Sequence, residues 1–186
     1  MSRGRTSLIS IDGVNGAAVA EAARDALSAA GRRRGGISWW DASGVFGELL
    51  VAGEEAGQPS ARTLLLLYAS DLAFRLHWEI EPALAKGRTV VAAPYVQTAV
   101  SFGRAAGLGG GWLIDLFRFA LPADDRRLVD AVPPCSTAEP QGFAEFACAH
   151  LSGRVLGLTR DQLVTRTRAY LSAAAARTSH RGATLI

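Results

Sequence analysis

Residues 8–20 read LISIDGVNGAAVA. An apolar, β-branched run ends at Asp12 and Gly13, a second glycine follows at Gly16, and an alanine-rich stretch continues to Ala30. Buried parallel strands read as unbroken apolar runs of this kind. A strand that turns through glycines into a helix is the layout of a phosphate-binding loop. Such a loop works through backbone N–H groups that curl round the phosphate, a lysine that follows the β- and γ-phosphates, and a hydroxyl residue that holds Mg²⁺. Here Ala18, Val19 and Ala20 stand where the last glycine, the lysine and the hydroxyl belong. Asp12, Gly13, Asn15 and Gly16 keep the outline of the cradle, without its charge or its metal ligand.

Outward from this stretch, strands and helices alternate. The first strand covers Ser7 to Asp12 and the first helix Ala17 to Ala30, ended by Gly31. ISWW (37–40) reads as a second strand, Asp41 to Gly44 as a turn, and VFGELLVAG (45–53) as a short helix. The longest element runs from Ser60, a good cap, to Leu84; its apolar residues lie on more than one face, which marks a helix buried in a core or in a subunit interface. RTVVAAPY (88–95) is a third buried strand, and helices over 96–106 and 112–120 flank GLGGG. A short strand at 128–132 is closed by Pro133 and Pro134, 142–153 reads as a helix and RVLGL (154–158) as a last strand. Thr159 caps a final helix to Ala176, and 177–186 reads as a flexible tail. The pattern predicts an α/β protein: one three-layer domain over 1–176, with a parallel sheet of about five strands, helices on both faces and right-handed crossovers.

Composition narrows the function classes. The 186 residues are 49% apolar and 20% charged, ordinary for one globular domain with a proper core. No apolar run is long enough for a bilayer and the N-terminus lacks a signal core, so no membrane role and a cytoplasmic location are expected. Lys86 is the sole lysine, and the net charge is +3. This arginine skew, with abundant alanine and glycine, reads as a high-GC bacterial genome rather than a selected basic surface. Arg32, Arg33 and Arg34 cluster in a turn, where charge is ordinarily solvated, so nucleic acid is not the expected partner. Cys135 and Cys148 form no C-x-x-C pair and, with His150, make a poor ligand set; no metal is expected.

The order of these features resembles bacterial thymidylate kinase, a P-loop NTPase-like fold, over about residues 7–132. That family opens on a strand, an acidic residue and G-x-D/E-G-x-G-K-T-T; IDGVNGAAVAE keeps Asp12, Gly13 and Gly16 and then departs. Its second strand leads to R-E-P-G-G-T-P-I-G-E, where WWDASGVFGE retains Gly47 and Glu48. LLYASDLA resembles L-L-F-A-A-D-R-A, and IEPALAKGRTVVAAPY follows I-x-P-A-L-x-x-G-x-x-V-I-x-D-R-Y in register from helix end to tyrosine. The stretch after Pro134, with a lid-like region at 135–153, diverges most.

The resemblance implies phosphoryl transfer from ATP to dTMP, and the departures imply its loss. The Walker A lysine and hydroxyl are Val19 and Ala20, the D-R-Y turn is Ala93, Pro94 and Tyr95, and the arginine of the A-A-D-R motif is Leu72. Trp39 and Trp40 replace the R-E-P charges, and no Arg or Lys lies between Arg127 and Arg154, where the lid falls. Lys86 precedes the third strand, on the edge of the sheet away from ligands, and nothing in the sequence nominates a substitute arginine. Tyr68 stands where the family stacks an aromatic on thymine; with Leu72, Tyr95 and Phe102 it would line a base or acceptor pocket, unless these are core aromatics. The leading expectation is therefore a pseudoenzyme with no catalytic residue and no cofactor. It would be a scaffold that dimerises through helix 60–84, as the family does, with itself or with a related protein. Two alternatives stand beside it: an active dTMP kinase using ATP and Mg²⁺, and a nucleoside-binding module without catalysis.

Overall fold

Every residue of the first strand, β1 (Leu8–Gly13), is buried, which requires a central strand covered on both faces. The computed structural model describes residues 7–31, 34–131, 141–151 and 157–182. In it β2 (Arg34–Trp39), β3 (Thr89–Ala93) and β4 (Asp125–Val129) join β1 in a parallel sheet of order β2-β3-β1-β4. Among the described residues four strands stand where about five were expected; most of the RVLGL candidate lies outside the described residues.

Two strands begin earlier than the sequence predicts. β2 starts at Arg34 rather than at Ile37, because Gly35 and Gly36 fit against β3. A side chain at Gly35 would meet the Thr89 carbonyl oxygen at 3.0 Å. β4 covers 125–129 rather than 128–132. Its Asp125-Arg126-Arg127 start reads as loop, yet charge is what an edge strand carries.

The helices are α1 (Gly16–Ala29), α2 (Val45–Ala56), α3 (Ala61–Arg75), α4 (Glu81–Ala85), α5 (Val96–Ala105), α6 (Gly110–Leu116), α7 (Phe143–His150) and α8 (Arg160–Gly182). Ser60 caps α3 by accepting from the Thr63 N–H at 3.1 Å. A π-helical turn at Leu76–Ile80 joins α3 to α4, so the expected long helix is helical to Ala85. α8 runs on through 177–182, where a tail was expected: Arg177 follows four alanines, and no proline interrupts before Gly182.

Alternation on β1 separates two cores. Ile9 and Ile11 meet Val19, Ala23 and Ala26 of α1 on one face. Leu8, Val90 and Ala92 meet α3, α5 and α7 on the other, in the larger cluster. Both faces are thus helix-covered, as a parallel sheet needs.

Candidate functional site

Parallel strands bring all the strand ends to one edge, where ligands bind in sheets of this kind. There β1 reaches α1 through Val14 and Asn15 alone. Asn15 is the helix cap: its Oδ1 accepts from the Ala18 N–H at 2.9 Å, and its carbonyl accepts from the Val19 N–H at 3.0 Å. Val14 is buried against Ala144 of α7 and Leu171 of α8. Val19 turns into the core beneath the sheet, 1% exposed, and Ala20 is half-buried beside it.

The mouth of this helix is covered by the chain itself. A Cβ at Gly16 would meet the Gln141 carbonyl carbon at 2.2 Å and the Gly142 nitrogen at 2.3 Å. In return, a Cβ at Gly142 would meet the Gly16 Cα at 2.8 Å. Two glycines let two backbones touch. Gly13 is equally confined, by the Val19 side chain at 2.7 Å and the Val129 carbonyl oxygen at 2.9 Å.

Asp12 caps the neighbouring helix instead of facing a metal. Its Oδ1 accepts from the N–H groups of Tyr95 (3.0 Å) and Thr98 (2.8 Å) and from the Thr98 hydroxyl (2.8 Å). The Gly13 N–H in turn donates to Thr98 Oγ1 at 3.1 Å. α5 has no side-chain cap of its own, so Asp12 supplies the anion its N-terminus favours. Burial raises the Asp12 pKa, opposed by the hydrogen bonds from Thr98 and Tyr95.

The four residues expected to line a pocket are divided. Tyr68, Leu72 and Phe102 have no exposed surface. Phe143 of α7 lies among them, its ring 4.3 Å from Tyr68, 5.7 Å from Phe102 and 5.8 Å from Phe46. Trp40 closes this group, 5.4 Å from Phe46 and 5.5 Å from Phe146, while Trp39 packs on the α1 side. The Tyr68 hydroxyl is shared between the carbonyl oxygens of Pro94 and Tyr95, 3.0 Å from each, and burial pushes its pKa far up. Tyr95 points elsewhere: its hydroxyl donates to the Leu121 carbonyl at 2.8 Å, and burial pushes its pKa to about 12.

The sequence nominates no arginine for this edge, and the structure brings one near it, bonded to the protein itself. Arg75, wholly buried, donates from Nε to Ser38 Oγ at 3.0 Å and from Nη2 to the carbonyls of Ser38 (2.7 Å) and Pro94 (3.1 Å). Its Nη1 lies 3.9 Å from Asp71 Oδ2 and has no hydrogen-bond partner. Asp71 is buried too, accepting from the Ser43 N–H and hydroxyl and from the Asp41 N–H at 2.9–3.1 Å. The signal was present in sequence: an acid and a base four apart in a helix, with Leu72 and Leu76 beside them. Lys86 lies in the turn before β3, at the opposite edge.

A cavity of about 440 Å³ lies on the β1–β4 half of the same sheet face. Ser10, Asp12 and Tyr95 form its inner side, with Leu121, Arg126 and Leu171 around them. Cys148 is away from it, a buried thiol whose pKa burial pushes to about 12; Cys135 lies outside the described residues. Among the described residues no helix is long and apolar enough to cross a membrane, and no three His, Cys, Asp or Glu side chains converge as metal ligands.

No protein-family model matches the chain. A 65-residue stretch is 42% identical to a probable thymidylate kinase of Thermococcus gammatolerans, covering 35% of this chain and 31% of that protein. Probable thymidylate kinases of Thermococcus onnurineus and Thermococcus kodakarensis match over 65 residues at 40% and 38% identity. The match thus spans about a third of the length of these curated relatives. Thymidylate kinase from Ehrlichia chaffeensis superposes with a TM-score of 0.65 at 12% identity, over 95% of this chain and 90% of that one.

Proposed function

With the thymidylate kinase fold as premise, we propose that this chain is a catalytically inactive relative, a pseudoenzyme that works as a dimeric scaffold. The observation that carries this reading is the contact between Gly16 and the Gln141–Gly142 backbone at the mouth of α1. A phosphate would need that space, and it would need N–H groups of which Ala18 already serves Asn15. The helix also begins at Gly16, within the run that in a phosphate loop curls round the phosphates.

The residues do not fit ATP with Mg²⁺. Val19 and Ala20 offer neither cation nor metal ligand, Asp12 Oδ1 is spent on α5, and the Arg75 guanidinium is enclosed by backbone carbonyls. Phosphoryl transfer rests on positioned charge and metal, and removing one such stabilising group typically costs about 3–4 kcal/mol of barrier. Nor is there room beside Tyr68 for a base, because Phe143 packs against that ring.

What the fold still presents is an apolar stripe on α3 and the π-helical turn that continues it. Leu66, Phe74 and Trp78 are exposed at four-residue steps with Ser70 between them, and the Phe74 and Trp78 rings lie 6.5 Å apart. A second copy of this chain would cover such a stripe through a two-fold contact.

Calorimetric titration with ATP and with dTMP, each with and without Mg²⁺, tests the inactive reading. Silence into the millimolar range is expected; Mg²⁺-dependent ATP binding would overturn it, and binding of dTMP alone would favour a nucleoside-binding module. Sedimentation tests the dimer: a Trp78→Glu variant should run as a monomer where the parent does not.

A further inference from the structure

We propose that the cavity between β1, β4 and α8 binds a small organic monoanion with an apolar body and a hydrogen-bond donor at the end opposite its charge. An aryl carboxylate such as 4-hydroxyphenylacetate is the simplest member of that class. The inference stands apart from the inactive-kinase reading: it concerns the opposite half of the sheet face from the aromatic group round Phe143, and neither result decides the other.

The case begins with β1. Its residues alternate between faces, so Leu8, Ser10 and Asp12 share the face turned toward α5 and α8. Two polar residues on a central strand are costly unless something satisfies them. Ser10 is 2% and Asp12 5% exposed, and both line the cavity. Asp12 Oδ1 is fully engaged with α5, but Oδ2 and the Ser10 hydroxyl have no hydrogen-bond partner among the described residues. These two groups make a buried polar floor that accepts a donor.

The rim carries the opposite chemistry. Arg126 is the direct neighbour of Ser10 in the β1–β4 register and therefore lies on the same face. It is exposed and makes no ion pair among the described residues. Arg127 also borders the cavity, but its guanidinium is held by Asp125 at 2.9 Å. Among the described lining residues Arg126 is the one cation without an ion pair, which matches a single negative charge, and the carboxylate on the floor would repel a polyphosphate. Between floor and rim the lining is apolar, with Phe117, Leu121 and Leu171. Apolar walls with a few converging polar groups, in a volume of about 440 Å³, are the make-up of a small-molecule site.

The test is calorimetric titration of the full chain with 4-hydroxyphenylacetate, beside phenylacetate, which lacks the donor, and 4-methylphenol, which lacks the charge. Saturable binding with a Kd of about 1 mM or tighter is expected for the first, as suits a ligand of this size. Each of the other two should bind about tenfold more weakly, the loss of one charged or hydrogen-bonded contact. Ala120→Trp, at a half-exposed lining position, should abolish binding with an unchanged circular dichroism spectrum. Arg126→Ala should weaken the two carboxylates and leave 4-methylphenol as it was. No saturable binding of 4-hydroxyphenylacetate, equal binding of all three probes, or binding that survives both substitutions overturns the proposal.

Discussion

The β2–β3 half of this sheet face and the β1–β4 half both carry polar groups, yet they treat them differently. In the first, Arg75 Nε and Nη2 and both carboxylate oxygens of Asp71 are hydrogen-bonded to Ser38, Ser43, Asp41 and Pro94, and aromatic rings from α2, α3, α5 and α7 fill what remains. In the second, Ser10, Asp12 Oδ2 and Arg126 border open space. The difference follows from what each half is packed against. α7 brings Phe143 and Phe146 into the β2–β3 half, whereas among the described residues α8 lines the cavity of the β1–β4 half with Leu171, Ala174 and Ala175. Bulk closes one half, and alanine leaves the other open.

The sharpest way to break the closed half is at its backbone contact. Gly16→Val would drive a side chain into Gln141 and Gly142, where the atoms it meets are all backbone. A loss of more than about 4 kcal/mol is expected, at the extreme of single substitutions, read as a fall in the urea midpoint. An unchanged midpoint would mean that the segment does not rest on α1.

Phe143→Ala removes the ring at the centre of the aromatic group. About 3–5 kcal/mol should be lost, the usual cost of a large aromatic in a core. Leu128→Ala, a half-buried residue bordering the open cavity, should cost about 2 kcal/mol or less, since it leaves no sealed void. Equal losses would erase the contrast between the halves.

The buried ion pair comes next. Asp71→Asn leaves the Arg75 charge with only the neutral oxygens of Ser38 and Pro94 beside it and should cost about 3 kcal/mol; Arg75→Met should cost a similar amount, and the double variant less than the sum. Additive losses in the urea midpoint would show that the pair at 3.9 Å is not coupled.

Much of this architecture was legible from residues 8–20 outward, because a fully buried strand, a capped glycine turn and the Ser60 cap are local signals. Their physics is complete within a few residues. The start of β4 was not, since Asp125, Arg126 and Arg127 become a strand only by pairing with β1. Arg75 was hidden for a related reason: a cation is read as solvated until the carbonyls that enclose it, from Ser38 and Pro94, are brought near by the fold. Gly16 announced a close approach, and Tyr68 an aromatic partner, but the partners are Gly142 and Phe143. Pattern tells that a glycine makes room and not for whom, so the loop's outline was readable and its obstruction was not.

The smallest effect sharpens the comparison where the halves meet, at Asp12. Burial raises its pKa in the folded chain above the ordinary 3.8. The folded state therefore holds the proton more firmly than the unfolded chain does. Its contribution is fully present below 3.8 and is lost as pH rises through the window between 3.8 and the raised value. Asp12→Asn keeps an oxygen for Tyr95 and Thr98 but carries no charge at any pH. The variant's urea midpoint, set against the parent's, should therefore gain as pH rises from the acid side of that window and then level off. Parallel profiles would mean that the carboxylate is as well solvated when folded as when unfolded. In that case the cavity beside it is filled with water that reaches Oδ2, and the floor of the β1–β4 half is wet rather than waiting for a donor.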